Sequence, residues 1–136
     1  MSEIRVPVAF GELIDKLTIL EIKRERIADP GKRANVEHEY QALCATWDQV
    51  PQSRQDIAAL RAELKAVNER LWQIEDAVRE HDAQQDFGPA FIDLARSVYL
   101  NNDERARLKR EINLTLGSAL VEEKSYDDYR RELPDA

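Results

Sequence analysis

The sequence predicts an all-α protein: an antiparallel helical bundle with a long helix 3–helix 4 coiled-coil hairpin and two shorter N-terminal helices. Three observations carry that prediction. First, an apolar ladder runs Ile57, Leu60, Leu64, Val67, Leu71, Ile74, Val78, with spacings alternating three and four; only a helix puts these on one stripe, and a sustained average of 3.5 favours packing on another helix. Second, 43% of the chain is hydrophobic and 35% charged, with only four glycines and five prolines, too few for a many-turned β architecture. Third, the two longest periodic segments are separated only by the short polar link from Ala83 to Gly88, which requires them to lie antiparallel.

The elements follow in order. Ile4-Arg5-Val6-Pro7-Val8 alternates like a strand, but Pro7 would interrupt a ladder, so residues 1–9 read as an extended arm docked on the bundle. Helix 1 is expected from about Phe10 to Ala28, with Phe10, Leu13, Ile14, Leu17, Leu20 and Ile27 on one face and Ile19 and Ile22 widening it. Asp29-Pro30-Gly31 ends it, because proline cannot continue the hydrogen-bond ladder. Helix 2, about Lys32 to Gln49, carries Val36, Tyr40, Leu43, Trp47 and Val50 at heptad spacing and closes at Pro51. Ser53 is the expected cap of helix 3, which runs to about Asp82 and spans on the order of 40 Å at 1.5 Å per residue. Helix 4 opens at Pro89, a tolerated first-turn proline, and ends near Leu116 at Gly117, a residue suited to a positive φ. Ala119 to Tyr129 reads as a short last helix or packed tail, and 130–136 as a frayed end of one helical domain spanning 1–136.

Composition narrows the function classes. A net charge of −7 opposes non-specific nucleic-acid binding, since phosphates are repelled overall. The basic run Arg105, Arg107, Lys109, Arg110 is interleaved with acids and reads as a solvated helix face. Cys44 is the single cysteine, so no intrachain disulfide exists, and on an apolar stripe it acts as a small hydrophobe. The N-terminus lacks a signal-peptide pattern, and no stretch approaches the ~20 apolar residues of a membrane span. The expected setting is the cytoplasm, with neither membrane nor nucleic acid as partner.

Polar residues interrupt the apolar pattern at two places. The inward stripe of helix 4 runs Phe91, Leu94, Val98 and then meets Asn101 and Arg105 before Leu108, with Asn102 and Asp103 alongside. Buried polar groups are costly without partners. Folding the hairpin about residue 85 brings Asn68 opposite Asn101 and Asn102, and Glu75 or Asp76 near Arg96. The expected role is a polar layer that fixes helix register; the alternative is a binding site. Helix 1 supplies the second place: Glu12, Asp15 and Lys16 fall among dense hydrophobics. Acids suit a helix start, which suffices for Glu12, and Glu21 with Glu25 lies among basic neighbours as a solvated face. No metal or cofactor is expected. Trp47 and Trp72 are read as core, and His38 and His81 lack ligand-pair spacing. Phosphate loops, Cys/His clusters and nucleophile motifs are missing from the sequence, which weighs against the common catalytic classes.

Four segments, G-E-L-I-D-K-L-T-I-L at 11–20, L-W-Q-I-E-D at 71–76, F-I-D-L-A-R-S-V-Y-L-N-N-D-E-R-A at 91–106 and V-E-E-K-S-Y at 121–126, resemble a family of short bacterial all-helical proteins of unknown function. The resemblance covers most of the chain and implies a stand-alone helical protein with no activity to import. It draws attention to Glu12, Asp15, Lys16, Glu75, Asp76, Arg96, Asn102, Asp103, Arg105, Glu123 and Lys124. Position 9 departs from the family's N-capping serine; here it is Ala9.

Two functions are therefore weighed. The surplus of apolar stripes, and a helix 3 that outreaches helices 1 and 2, favour a non-catalytic bundle that self-associates or docks on a protein partner. The alternative is a small all-α enzyme or binding protein for an anionic phosphate or carboxylate metabolite. In it Arg96 and Arg105 grip the anion and acids of helices 1 and 3 assist.

Overall fold

A computed structural model describes residues 2–126 and contains four α-helices in the predicted order, with no strand among the described residues. They are α1 (Phe10–Arg26), α2 (Pro30–Gln49), α3 (Ala58–Ala83) and α4 (Pro89–Leu116), with a 3-10 turn at Pro51–Arg54. The fold class is all-α, with α3 and α4 packed closely as a hairpin. Helix α1 packs on the other three. Its Leu13, Ile14 and Leu17 form one core with Trp47 of α2, Leu64 and Val67 of α3, and Leu108, Ile112 and Leu116 of α4. Tyr40, Leu43, Cys44 and Val50 pack at its margin, as the helix 2 stripe and the apolar reading of Cys44 predict. No helix among the described residues is long and apolar enough to cross a membrane.

The boundaries differ from expectation where chain-breaking residues have two roles. Asp29-Pro30-Gly31 ends α1 at Arg26, but it also starts α2. Asp29 caps the new helix by accepting from the Lys32 N–H at 2.9 Å, and Pro30 occupies its first turn, where no N–H is needed. Ser53 is not the cap of α3; its hydroxyl donates to the Val50 carbonyl within the 3-10 turn. Asp56 instead accepts from the Ala58 N–H at 3.0 Å. Gly117 ends α4 at φ 67°, the predicted left-handed cap.

The arm has no helix or strand over residues 2–9 and does not dock: Ile4, Val6 and Val8 are exposed, and burial begins only at Ala9. Residues 118–126 form no helix, and Leu120 and Tyr126 are exposed. Tyr129 and the 130–136 end lie outside the described residues.

Helix length dictates the shape. With 17 residues α1 covers only part of α3 and α4, which have 26 and 28. No residue between positions 69 and 107 is fully buried. Leu71 still packs against the common core, but beyond it the far half of the hairpin has only its own partner helix to pack on, with Ile74, Val78, Phe91, Leu94 and Val98 half-buried. At its tip Gln85 adopts φ 53° to reverse the chain, and Phe87 meets Phe91 edge-on with ring centroids 5.2 Å apart.

Candidate functional site

Asp15 is the centre of the polar anomaly. It is 1% exposed, on the face of α1 that meets both long helices. Arg105 of α4 grips it with both ends of its guanidinium, Nε donating to Oδ1 at 2.9 Å and Nη2 to Oδ2. Asn68 of α3 donates from Nδ2 to Asp15 Oδ1 at 2.9 Å and to Thr18 Oγ1 at 3.0 Å. The Thr18 hydroxyl in turn donates to the Asp15 carbonyl at 2.8 Å. Three helices thus converge on one carboxylate, and Asp15, Thr18, Asn68 and Arg105 partner one another. The hydrogen bonds to Asp15 hold the Arg105 guanidinium pKa above its ordinary value. Arg105 was a foreseen inward residue; Asn68 was foreseen to face Asn101 and Asn102, but its hydrogen bonds go to α1 instead.

A second set ties the start of α1 and the tail to α4. The Gly11 N–H donates to Asn113 Oδ1 at 2.6 Å, and a Cβ at Gly11 would press into the Lys109 carbonyl oxygen. Lys109, with a side chain only 12% exposed, donates to Glu12 at 2.7 Å and to Glu122 at 3.0 Å. Burial acts to lower the Lys109 pKa, but its hydrogen bonds to these two carboxylates outweigh that and raise it. Glu122 also accepts from Lys124 at 2.8 Å, and the two ammonium groups pull its pKa down to about 2. Glu123 pairs with Arg110 at 3.0 Å. The basic run of α4 is therefore divided. Arg107 is a solvated residue paired with Glu104 and Glu111, whereas Lys109 is an interior strut.

The remaining predicted residues are distributed around these two sets. Asn101 is half-buried and its Oδ1 accepts from Arg70 at 3.1 Å. Asn102 borders a cleft of about 560 Å³ together with Ile19, Ile22, Trp72, Glu75, Asp76 and Arg105. Trp72 is thus a wall of that cleft, not a core residue like Trp47. Glu75 pairs with Arg79 and does not meet Arg96. Asp103 and Lys124 line a smaller cleft of about 250 Å³ beneath the tail. Lys16 is exposed. Arg96 is exposed on the opposite side of α4 from Arg105, because nine residues advance a helix by about two and a half turns. One small anion cannot be held by both.

Glu12 and Asp15, the pair nearest to a metal-ligand spacing, each face a cation, and no group of three metal-binding side chains gathers among the described residues. Glu21 and Glu25 bridge across to α3, at 2.5 Å to Arg61 and 2.6 Å to Lys65, instead of pairing along their own helix. Thr18, Asn113 and the strut role of Lys109 were not foreseen. The available signals were Thr18 within the apolar run Leu17–Leu20, and Gly11 in a first helical turn, where a missing Cβ suggests close backbone approach.

Fold and site together define a small all-α protein whose long helical hairpin is pinned to its first helix by a buried, bidentate ion pair. A family model matches residues 4–131, and the chain belongs to that family of unknown function, DUF6165. No curated protein and no solved structure matches it.

Proposed function

We propose that this protein is a non-catalytic helical module that works by self-association or by docking on a protein partner through the projecting half of the α3–α4 hairpin. One observation supports this above all. The hairpin extends past the cover of α1, leaves its own seam half-buried, and shows Phe87, Ile92, Tyr99 and Leu100 to solvent. Helices draw most of their stability from packing an amphipathic face, so a covering chain would bury the apolar surface that this hairpin leaves open.

The anionic-metabolite alternative draws less support from the geometry. Asp15 already neutralises Arg105, and Arg96 faces away from it. The clefts beside Arg105 are lined by acids as well as cations, which opposes capture of a small anion.

Sedimentation velocity over a micromolar concentration series tests the proposal. The expected result is a mass that rises above the monomer, or a monomer that binds a protein partner and loses it in a variant with Phe87 and Ile92 changed to Ser. A monomer at all concentrations whose partners are unaffected by that variant would overturn it. Thermal shift against phosphorylated sugars, nucleotides and divalent ions is expected to show no stabilisation.

A further inference from the structure

We infer that the outward face of α4 pairs with the same face of a second copy of this chain, antiparallel, with Arg96 of each copy meeting Asp103 of the other. The inference rests on the self-association reading above and specifies its surface. Ile92, Arg96, Tyr99 and Asp103 are spaced four, three and four apart, so they share a sector of about 60° on α4, on the side away from the core. An outward helix face is ordinarily polar, yet here Ile92 is 54% and Tyr99 44% exposed, with Leu100 at the edge. Arg107, on the same side, is occupied by Glu104 and Glu111. Arg96 and Asp103 take part in no ion pair among the described residues, although most charges of the hairpin root do.

That set is self-complementary. A two-fold axis passing near residues 97 and 98 and crossing the helix brings Pro89–Ala106 of one copy against Ala106–Pro89 of the other, about 26 Å of contact. Each Arg96 then lies on the partner copy's Tyr99 ring, a cation–π contact, and one turn from its Asp103. Each Ile92 covers the stem of the opposing Asp103. A parallel arrangement would instead place Arg96 against Arg96 and Asp103 against Asp103, so charge selects the antiparallel one. The two acidic tips (Glu80, Asp82, Asp86) are carried to opposite ends of the contact, well apart from each other.

The test is charge reversal read by sedimentation on the full chain. The wild type is expected to be a micromolar dimer. R96D and D103R each place like charges together and are expected to weaken it at least about tenfold. Mixed in equal amounts, the two variants restore both attractive pairs and are expected to dimerise again. Circular dichroism confirms folding, since both positions are exposed. A wild-type dimer that both variants leave intact overturns this surface and leaves self-association standing. Weakened variants that fail to recover on mixing overturn the Arg96–Asp103 pairing. A wild type that stays monomeric overturns the inference and the self-association reading together.

Discussion

Replacing Arg105 with alanine tests the polar centre most directly. Asp15 is 1% exposed and accepts three hydrogen bonds, two from Arg105 and one from Asn68. Truncation leaves a buried carboxylate with a single amide donor. Removing one member of a buried ion pair costs about 3–5 kcal/mol. The Arg105 side chain is itself 30% exposed, so water entering the vacated space relieves part of the loss and sets the expectation at the lower end, about 3 kcal/mol. Against a typical total of about 5–15 kcal/mol that is a large fraction. Urea unfolding followed by far-ultraviolet circular dichroism measures it. The double variant Asp15→Ala with Arg105→Ala is expected to lose less than the two single losses added, with a coupling of about 1–3 kcal/mol. Arg105→Lys is expected to recover only part, because an ammonium cannot reproduce the two-pronged grip. A loss below about 1 kcal/mol for Arg105→Ala, the range of a surface pair, would refute the assignment of a buried register-setting layer.

Further outcomes follow from the same contacts. Gly11→Ala is expected to cost about 2–3 kcal/mol in urea unfolding, since the added methyl meets backbone of α4 that cannot move aside. Leu108→Ala, in the closed core, is expected to cost about 2–5 kcal/mol, while Leu94→Ala in the half-covered hairpin costs about 1 kcal/mol or less under the same assay. Glu122 has a folded pKa of about 2 against an ordinary 4.5, so its contribution is complete above pH 4.5 and fades as pH falls toward 2. An NMR titration of the amides at 119–124 is expected to show a midpoint near 2 in the wild type. In Lys109→Met the midpoint should move up toward the ordinary value, and its failure to move would place the tail elsewhere.

Helices were legible in the sequence because periodicity is a local property. The Ile57–Val78 ladder, the Trp47 stripe and the Gly117 terminator all do what spacing and backbone preference require. What periodicity does not contain is the number of neighbours that cover a stripe. Val67 and Ile74 occupy equivalent positions on α3, yet only Val67 belongs to the closed core, whereas Ile74 is half-open. Polar partners were harder still. Arg105 stood out as an interruption in helix 4 and the hairpin fold drew in Asn68, but the carboxylate they share belongs to α1, at 53 residues from Asn68 and 90 from Arg105. Helix-start acids have a sufficient local explanation, so Asp15 resembled Glu12 until the helices were assembled. Docking of the arm failed for a related reason: alternation in Ile4–Val8 indicates an extended chain but identifies no surface for it to cover.

The polar centre and the open hairpin are two consequences of one arrangement. Apolar stripes at 3.5-residue spacing admit sliding by a whole heptad, since each step restores similar packing. On α3 such a slide would exchange one apolar residue for another, Leu71 for Leu64 and Ile74 for Val67, whereas on α4 it would bring Asn101 to the place of Leu108. It would separate Arg105 from Asp15 and Asn68 from Thr18 by about 10 Å. The Asp15–Arg105–Asn68 contact therefore selects a single register of the hairpin on α1, where the apolar ladder of α3 alone discriminates weakly. Once that register is set, the position of every residue beyond it along α4 is determined, including the outward Ile92, Arg96, Tyr99 and Asp103. A buried ion pair that adds little net stability can thus still govern how far the hairpin projects and which face it presents. Arg105→Ala would then disturb association as well as folding, whereas Arg96→Asp disturbs association alone.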